Sequence, residues 1–263
     1  MNCLHCCENS GCHEPANFMP LEKFEQYLNE FQKLSFDTSE HIVIGGGEGM
    51  APYLLGKRHY IPQALGHIQK AGLIPTIKTN AMWGARRNFS MEILKDLADN
   101  AFYFDRLVTL DISVDEFHNN INNAANVIEN TLSNPHFMYG IRICLTGFNT
   151  SKSADALRKL KQELMRRNLF VSDLPDGQWG VYNSLGYGFC VYLDYKSSIY
   201  NLGRASDNMV YNALWMPNWS MDSENCLVID NNDVAKLNYQ YSEKISGRKM
   251  QTVVENLVRK YGD

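Results

Sequence analysis

His41-Ile42-Val43-Ile44-Gly45-Gly46-Gly47-Glu48 is the stretch on which the fold turns. A short β-rich run that ends in three glycines reads as a buried strand entering a tight loop, here followed at once by a carboxylate. Upstream, Leu21, Phe24, Leu28 and Phe31 recur at helical spacing behind Pro20, which predicts an amphipathic helix with proline at its first position. Downstream, the periodicity predicts a helix over 61–70, a strand over 74–78 after Gly72, a helix near 90–98 and a strand over 107–113. Phe117, Ile121, Ala124, Ala125, Ile128 and Leu132 then share one face of a helix expected over 115–132, a strand follows over 139–145, and a helix over 153–167.

Strand and helix alternating four times imply parallel strands joined by crossovers. The expected fold is therefore α/β: a partial, TIM-like (β/α) barrel of five or six parallel strands, with an open doubly wound sheet as the runner-up. Beyond Leu169 the pattern loosens, leaving strands expected over 190–195 and 226–229 and a last helix over 249–259. Residues 1–205 are taken as the core, and 206–263 as a short, irregular C-terminal extension packed on it.

Composition narrows the partners. Of the 263 residues, 44% are hydrophobic and 21% charged, ordinary for a globular protein, and no apolar run approaches the length of a membrane span. Lys+Arg of 25 against Asp+Glu of 29 gives a net charge of −4, without the basic block that nucleic acid or an anionic membrane would require. The start MNCLHCCENSG has neither a basic nor an apolar signal region, so a cytoplasmic location is expected. Four of the seven cysteines, Cys3, Cys6, Cys7 and Cys12, fall within twelve residues, which in a reducing compartment reads as metal binding. Cys144, Cys190 and Cys226 read as buried small hydrophobes.

In an α/β barrel the chemistry gathers at the C-terminal strand ends. Those ends carry Gly45-Gly46-Gly47-Glu48, Thr79-Asn80 and Ser113-Val114-Asp115, with His118 just beyond and Arg142 within the fourth strand. Glycines let a ligand reach bare backbone, a carboxylate accepts from an ammonium, and paired Ser and Asp suit ribose hydroxyls. Each element also has a plain structural reading: a turn, a cap, a helix start, and for His118 a capping or core histidine. Their succession at adjacent strand ends, after a cysteine-rich loop, is what gives them weight.

In this order the motifs resemble the radical S-adenosylmethionine (radical SAM) family over roughly residues 1–205. Cys3-Leu4-His5-Cys6 looks like the last two cysteines of that family's C-x3-C-x2-C loop, and Gly46-Gly47-Glu48 like its GGE motif. Thr79-Asn80 resembles its TN(G) segment, with Ala81 in place of the glycine, Ser113-x-Asp115 its fourth-strand segment, and Asn201 to Ala205 its GRA element. The resemblance implies a [4Fe-4S] cluster held by Cys3 and Cys6 with a third thiolate, and SAM bound at Gly46, Gly47, Glu48, Thr79, Asn80, Ser113 and Asp115. It further implies reductive cleavage of SAM, hydrogen abstraction from a small molecule or peptide, and a reductant protein such as a flavodoxin or ferredoxin.

Arg142 is the candidate cation for the SAM carboxylate, opposite Glu48 at the amino group. With Cys3 as second ligand, the first cysteine is expected upstream of Met1, so weak or no turnover is expected of the chain as numbered. The alternatives are a degenerate barrel that binds without catalysis, and a zinc-stabilised module using Cys3, Cys6, Cys12 and His13 or His5. Tyr182, Tyr187, Tyr192, Tyr195 and Tyr200 read either as the lining of a substrate cavity or as core and interface.

Overall fold

The computed structural model describes residues 18–36, 40–45, 48–148, 150–196, 227–229, 234–237 and 241–261. Cys3, Cys6, Cys7, Cys12, Gly46, Gly47, Asn201 to Ala205 and Cys226 lie outside them, as do the zinc candidates His5 and His13.

The chain is an α/β protein. Helix α1 (Leu21–Phe31) precedes β1 (His41–Ile44), α2 (Ala51–Leu54), α3 (Tyr60–Lys70), β2 (Ile74–Thr79), α4 (Arg87–Phe104) and β3 (Val108–Ser113). There follow α5 (Ile121–Leu132), α6 (Pro135–Gly140), β4 (Ile141–Phe148), α7 (Ser151–Arg166), β5 (Phe170–Leu174), β6 (Gln178–Tyr182) and β7 (Gly188–Lys196). These seven strands form one sheet in the order β1-β2-β3-β4-β7-β6-β5. β1 to β4 and β7 are mutually parallel, while β6 is antiparallel to both of its neighbours. Five parallel strands match the expected number. The first four lie in chain order.

Register explains which side is core. Ile44, Ile77, Leu110, Ile143 and Val191 form one row across five strands, and four of them belong to the main apolar cluster with Ile93, Leu94 and Leu97 of α4 and Ile128 of α5. Side chains alternate across a strand, so the intervening residues face the other way. Most are polar: Thr76, Thr109 and Arg142 make one row with the exposed Val43 at its β1 end, and Lys78, Asp111, Cys144 and Tyr192 make the next. None of these belongs to the apolar core.

Several boundaries differ from the expectation. Pro20 is the N-cap of α1, in extended conformation, one position before the helix. The helix expected from Asp115 begins at Ile121, because Asp115 holds a turn instead. Residues 170–196 are regular: α7 runs to a β5–β6 hairpin, and β7 returns beside β4. Cys144 is half-buried on the polar face and Cys190 is exposed, so neither is the buried hydrophobe expected.

The described part of the extension is also regular. β8 (Leu227–Ile229), β9 (Val234–Leu237) and β10 (Tyr241–Lys244) make an antiparallel sheet, followed by helix α8 (Met250–Tyr261). Its apolar cluster of Ala235, Ile245, Met250, Val253, Val254 and Leu257 includes Tyr27 of α1, so the first and last helices share one small core. Tyr60 at the start of α3 ties that unit to the large sheet by donating its hydroxyl to the Met19 carbonyl at 2.7 Å.

Candidate functional site

The ends of β1, β2 and β3 meet through one hydrogen-bonded chain. Beyond β1, Gly49 donates its N–H to the Lys78 carbonyl of β2 at 2.9 Å, and a Cβ at Gly49 would lie 2.5 Å from that oxygen. Only glycine allows this approach, which turns Glu48 onto the end of β2. The Glu48 carboxylate accepts from Met50 N at 3.0 Å, from the Thr79 hydroxyl at 2.5 Å and from Asn80 N at 2.9 Å. Burial pushes the Glu48 carboxyl above its ordinary value, opposed by those three donors and by the nearby His118.

Thr79 is a hub because its hydroxyl also accepts from Ala81 N and from the indole Nε1 of Trp83, each at 3.0 Å. Ala81 itself sits in the left-handed region at φ 58°, a conformation that costs a residue with a Cβ about 1 kcal/mol. The turn therefore favours glycine at the position where the sequence departs from the TN(G) pattern.

Asn120, immediately before α5, closes the link to β3. Its amide nitrogen donates to the Asn80 carbonyl at 2.8 Å and to the Ser113 carbonyl at 2.7 Å, while its buried Oδ1 has no hydrogen-bond partner among the described residues. Such an orphan acceptor is costly unless a donor reaches it. Asp115, only 4% exposed, accepts from Phe117 N at 2.8 Å and His118 N at 3.2 Å, and His118 Nδ1 lies 2.9 Å from the same oxygen. The Ser113 side chain shares a row with Thr146 on the polar face.

Glu48, Thr79 and Asn80 are thus in contact, Ser113 is joined to them through Asn120, and Asp115 stands at the same end of the sheet. Arg142 is not brought to them. It pairs with Thr109, three residues before Leu145, which shares the row of Thr79 and Ile112. That offset is about 10 Å at the rise of a parallel strand. The Arg142 guanidinium lies over the Tyr192 ring, 5.4 Å from its centroid. Asn120 and Trp83 escaped the sequence reading. An Asn before a helical apolar period signals a cap, but nothing local shows it bridging two strands.

This corner keeps spare acceptor capacity of the kind an ammonium group uses. A carboxylate offers about four acceptor positions, of which Glu48 uses three on its own donors. One position on Oε2 and the orphan Asn120 Oδ1 remain as acceptors, and Asn80 bridges the two residues. Among the described residues no group of three His, Cys, Asp or Glu is placed to hold a metal, and Cys3 and Cys6 lie outside them. No described helix is long and apolar enough to cross a membrane. Compared with protein-family models and with curated proteins, the chain matches none.

Proposed function

We propose that the chain is a radical SAM enzyme that binds SAM at the C-terminal rim of a partial (β/α) barrel and abstracts hydrogen from a substrate held over the polar sheet face. The observation that carries this reading is the hydrogen-bonded chain from Glu48 through Thr79, Asn80 and Asn120 to Ser113, which joins three of the motif segments at adjacent strand ends. The left-handed Ala81 supports it, since the turn asks for glycine at the one TN(G) position that differs. Barrel curvature is supported by β1 to β4 lying in chain order with the apolar core on one face and polar residues on the other.

In this reading Glu48 and Asn120 accept from the SAM ammonium, Ser113 and Asp115 stand near the ribose, and the polar face orients the substrate. A [4Fe-4S] cluster, held by Cys3 and Cys6 with a third thiolate, would supply the electron that breaks a carbon–sulfur bond of SAM. A second reading, a degenerate barrel that binds a nucleotide without catalysis, is favoured by one feature: Glu48 is already largely engaged by the chain's own donors.

Anaerobic reconstitution with iron and sulfide separates these readings, using the chain alone and extended through any open reading frame upstream. Iron–sulfur absorption with 5'-deoxyadenosine release supports the enzyme. SAM binding without cleavage favours the degenerate barrel, and stoichiometric zinc without iron–sulfur absorption favours the zinc module.

A further inference from the structure

We propose that the polar sheet face carries an oxyanion-binding subsite, formed by the Arg142 guanidinium, the Tyr192 ring and the Thr109 hydroxyl, that takes a carboxylate or phosphate group of the substrate. The inference rests on the reading of this face as the substrate floor and deepens it by naming the substrate's charge.

Register sets the three groups together. Thr109 and Arg142 are direct partners on β3 and β4, and Tyr192 of β7 pairs with Cys144, two residues further along on the same face. Thr109 is 7% exposed and its hydroxyl has no hydrogen-bond partner among the described residues. Its neighbour in the row, Thr76, lies within 3.4 Å of His41 Nδ1 through its own hydroxyl. Arg142 is half-buried, and no carboxylate among the described residues lies within ion-pair distance of it. The acids on this face stand in later rows: Asp111 accepts from the Thr146 hydroxyl, and Asp194 pairs in register with Thr146. Lys78 pairs in register with Asp111.

A guanidinium partly withdrawn from water, with donors to spare, beside a buried hydroxyl that has no partner, is a pair of donors in want of an acceptor. A planar or tetrahedral oxyanion can take the fork of the arginine and the threonine O–H together. Tyr192 holds the guanidinium by its ring face, which leaves the N–H edges available. Tyr192 is 37% exposed, so the subsite is open to solvent on that side. The backbone row of Thr109 and Arg142 lies about 10 Å before that of Thr79, and the guanidinium reaches forward from it to the Tyr192 ring.

The test is thermal unfolding of the full, metal-free chain with sodium phosphate or sodium succinate, against sodium chloride at equal ionic strength. A ligand that binds only the folded chain stabilises it by RT ln(1 + [L]/Kd), and so raises Tm. At least one anion is expected to raise the wild-type Tm. The larger response marks the substrate group as phosphate or carboxylate. Arg142→Met should abolish the rise and Arg142→Lys, which keeps charge but loses the fork, should weaken affinity about tenfold. If Arg142→Met does not fold, Thr109→Val carries the test and should weaken affinity several-fold. The proposal is overturned if wild type responds to neither anion, or if the response survives intact in Arg142→Met or, failing that variant, in Thr109→Val. No iron or SAM enters this experiment, so its failure would leave SAM cleavage standing, and failed cleavage would leave the anion result standing.

Discussion

Replacing Thr79 by valine removes one oxygen and little else. The side chain shares its row with Ile112 and Leu145, so an isosteric apolar residue keeps the packing. Three hydrogen bonds go. Glu48 loses its 2.5 Å donor, and the N–H groups of Ala81 and Trp83 are left facing a methyl in a buried site. Each stranded donor costs about 1–3 kcal/mol and the lost bond to a charged group about 1.5–3 kcal/mol. Shared relaxation makes these less than additive, so the expected loss is about 4 kcal/mol. Against a typical stability of about 5–15 kcal/mol the variant should still fold. Urea unfolding at neutral pH gives the number, with Thr79→Ser as the control that keeps the hydroxyl and is expected to lose only about 1 kcal/mol. A Thr79→Val loss within about 1 kcal/mol of zero, or a Thr79→Ser loss equal to it, would refute the hub.

Two further perturbations follow from the same corner. Because burial raises the Glu48 carboxyl above its ordinary 4.5, the folded chain keeps a proton that the unfolded chain releases. Its contribution is full below that value and is lost as pH rises through the raised one. Glu48→Gln has no such titration, so the stability gap between wild type and variant should narrow from pH 4 to pH 7. A widening gap in denaturant titrations would mean that the three donors outweigh burial. Gly49→Ala places a methyl 2.5 Å from the Lys78 carbonyl, and should destabilise by about 2 kcal/mol or more; an unchanged urea midpoint would show that the turn can open.

Sequence patterns located elements wherever an apolar run met punctuation. His41 to Ile44 stops at glycine, and the strand has those same limits. The strand expected from residue 139 begins at Ile141, because Pro135 opens the short helix α6, capped by the Asn134 side chain accepting from His136 N at 3.0 Å. The β5–β6 hairpin was missed although Pro175-Asp176-Gly177 is a turn sequence. Its strands alternate weakly, with Ser172 and Gly180 at paired positions. Arg142 shows the deeper limit. Alternation with the buried Ile141 and Ile143 puts it on the opposite, polar face. Its height along the sheet relative to Glu48 depends on register across four strands, which no local pattern encodes. The same holds for Asn120, whose two acceptors come from different strand ends.

Reductive SAM cleavage tests the central claim most directly. The anaerobically reconstituted chain, extended through any open reading frame upstream, is given SAM and dithionite, and 5'-deoxyadenosine is quantified beside Glu48→Gln. The reading of the rim predicts 5'-deoxyadenosine from the wild-type residues and a weakened SAM affinity in the variant. A fully cluster-loaded protein that binds no SAM, or releases no 5'-deoxyadenosine, would contradict it.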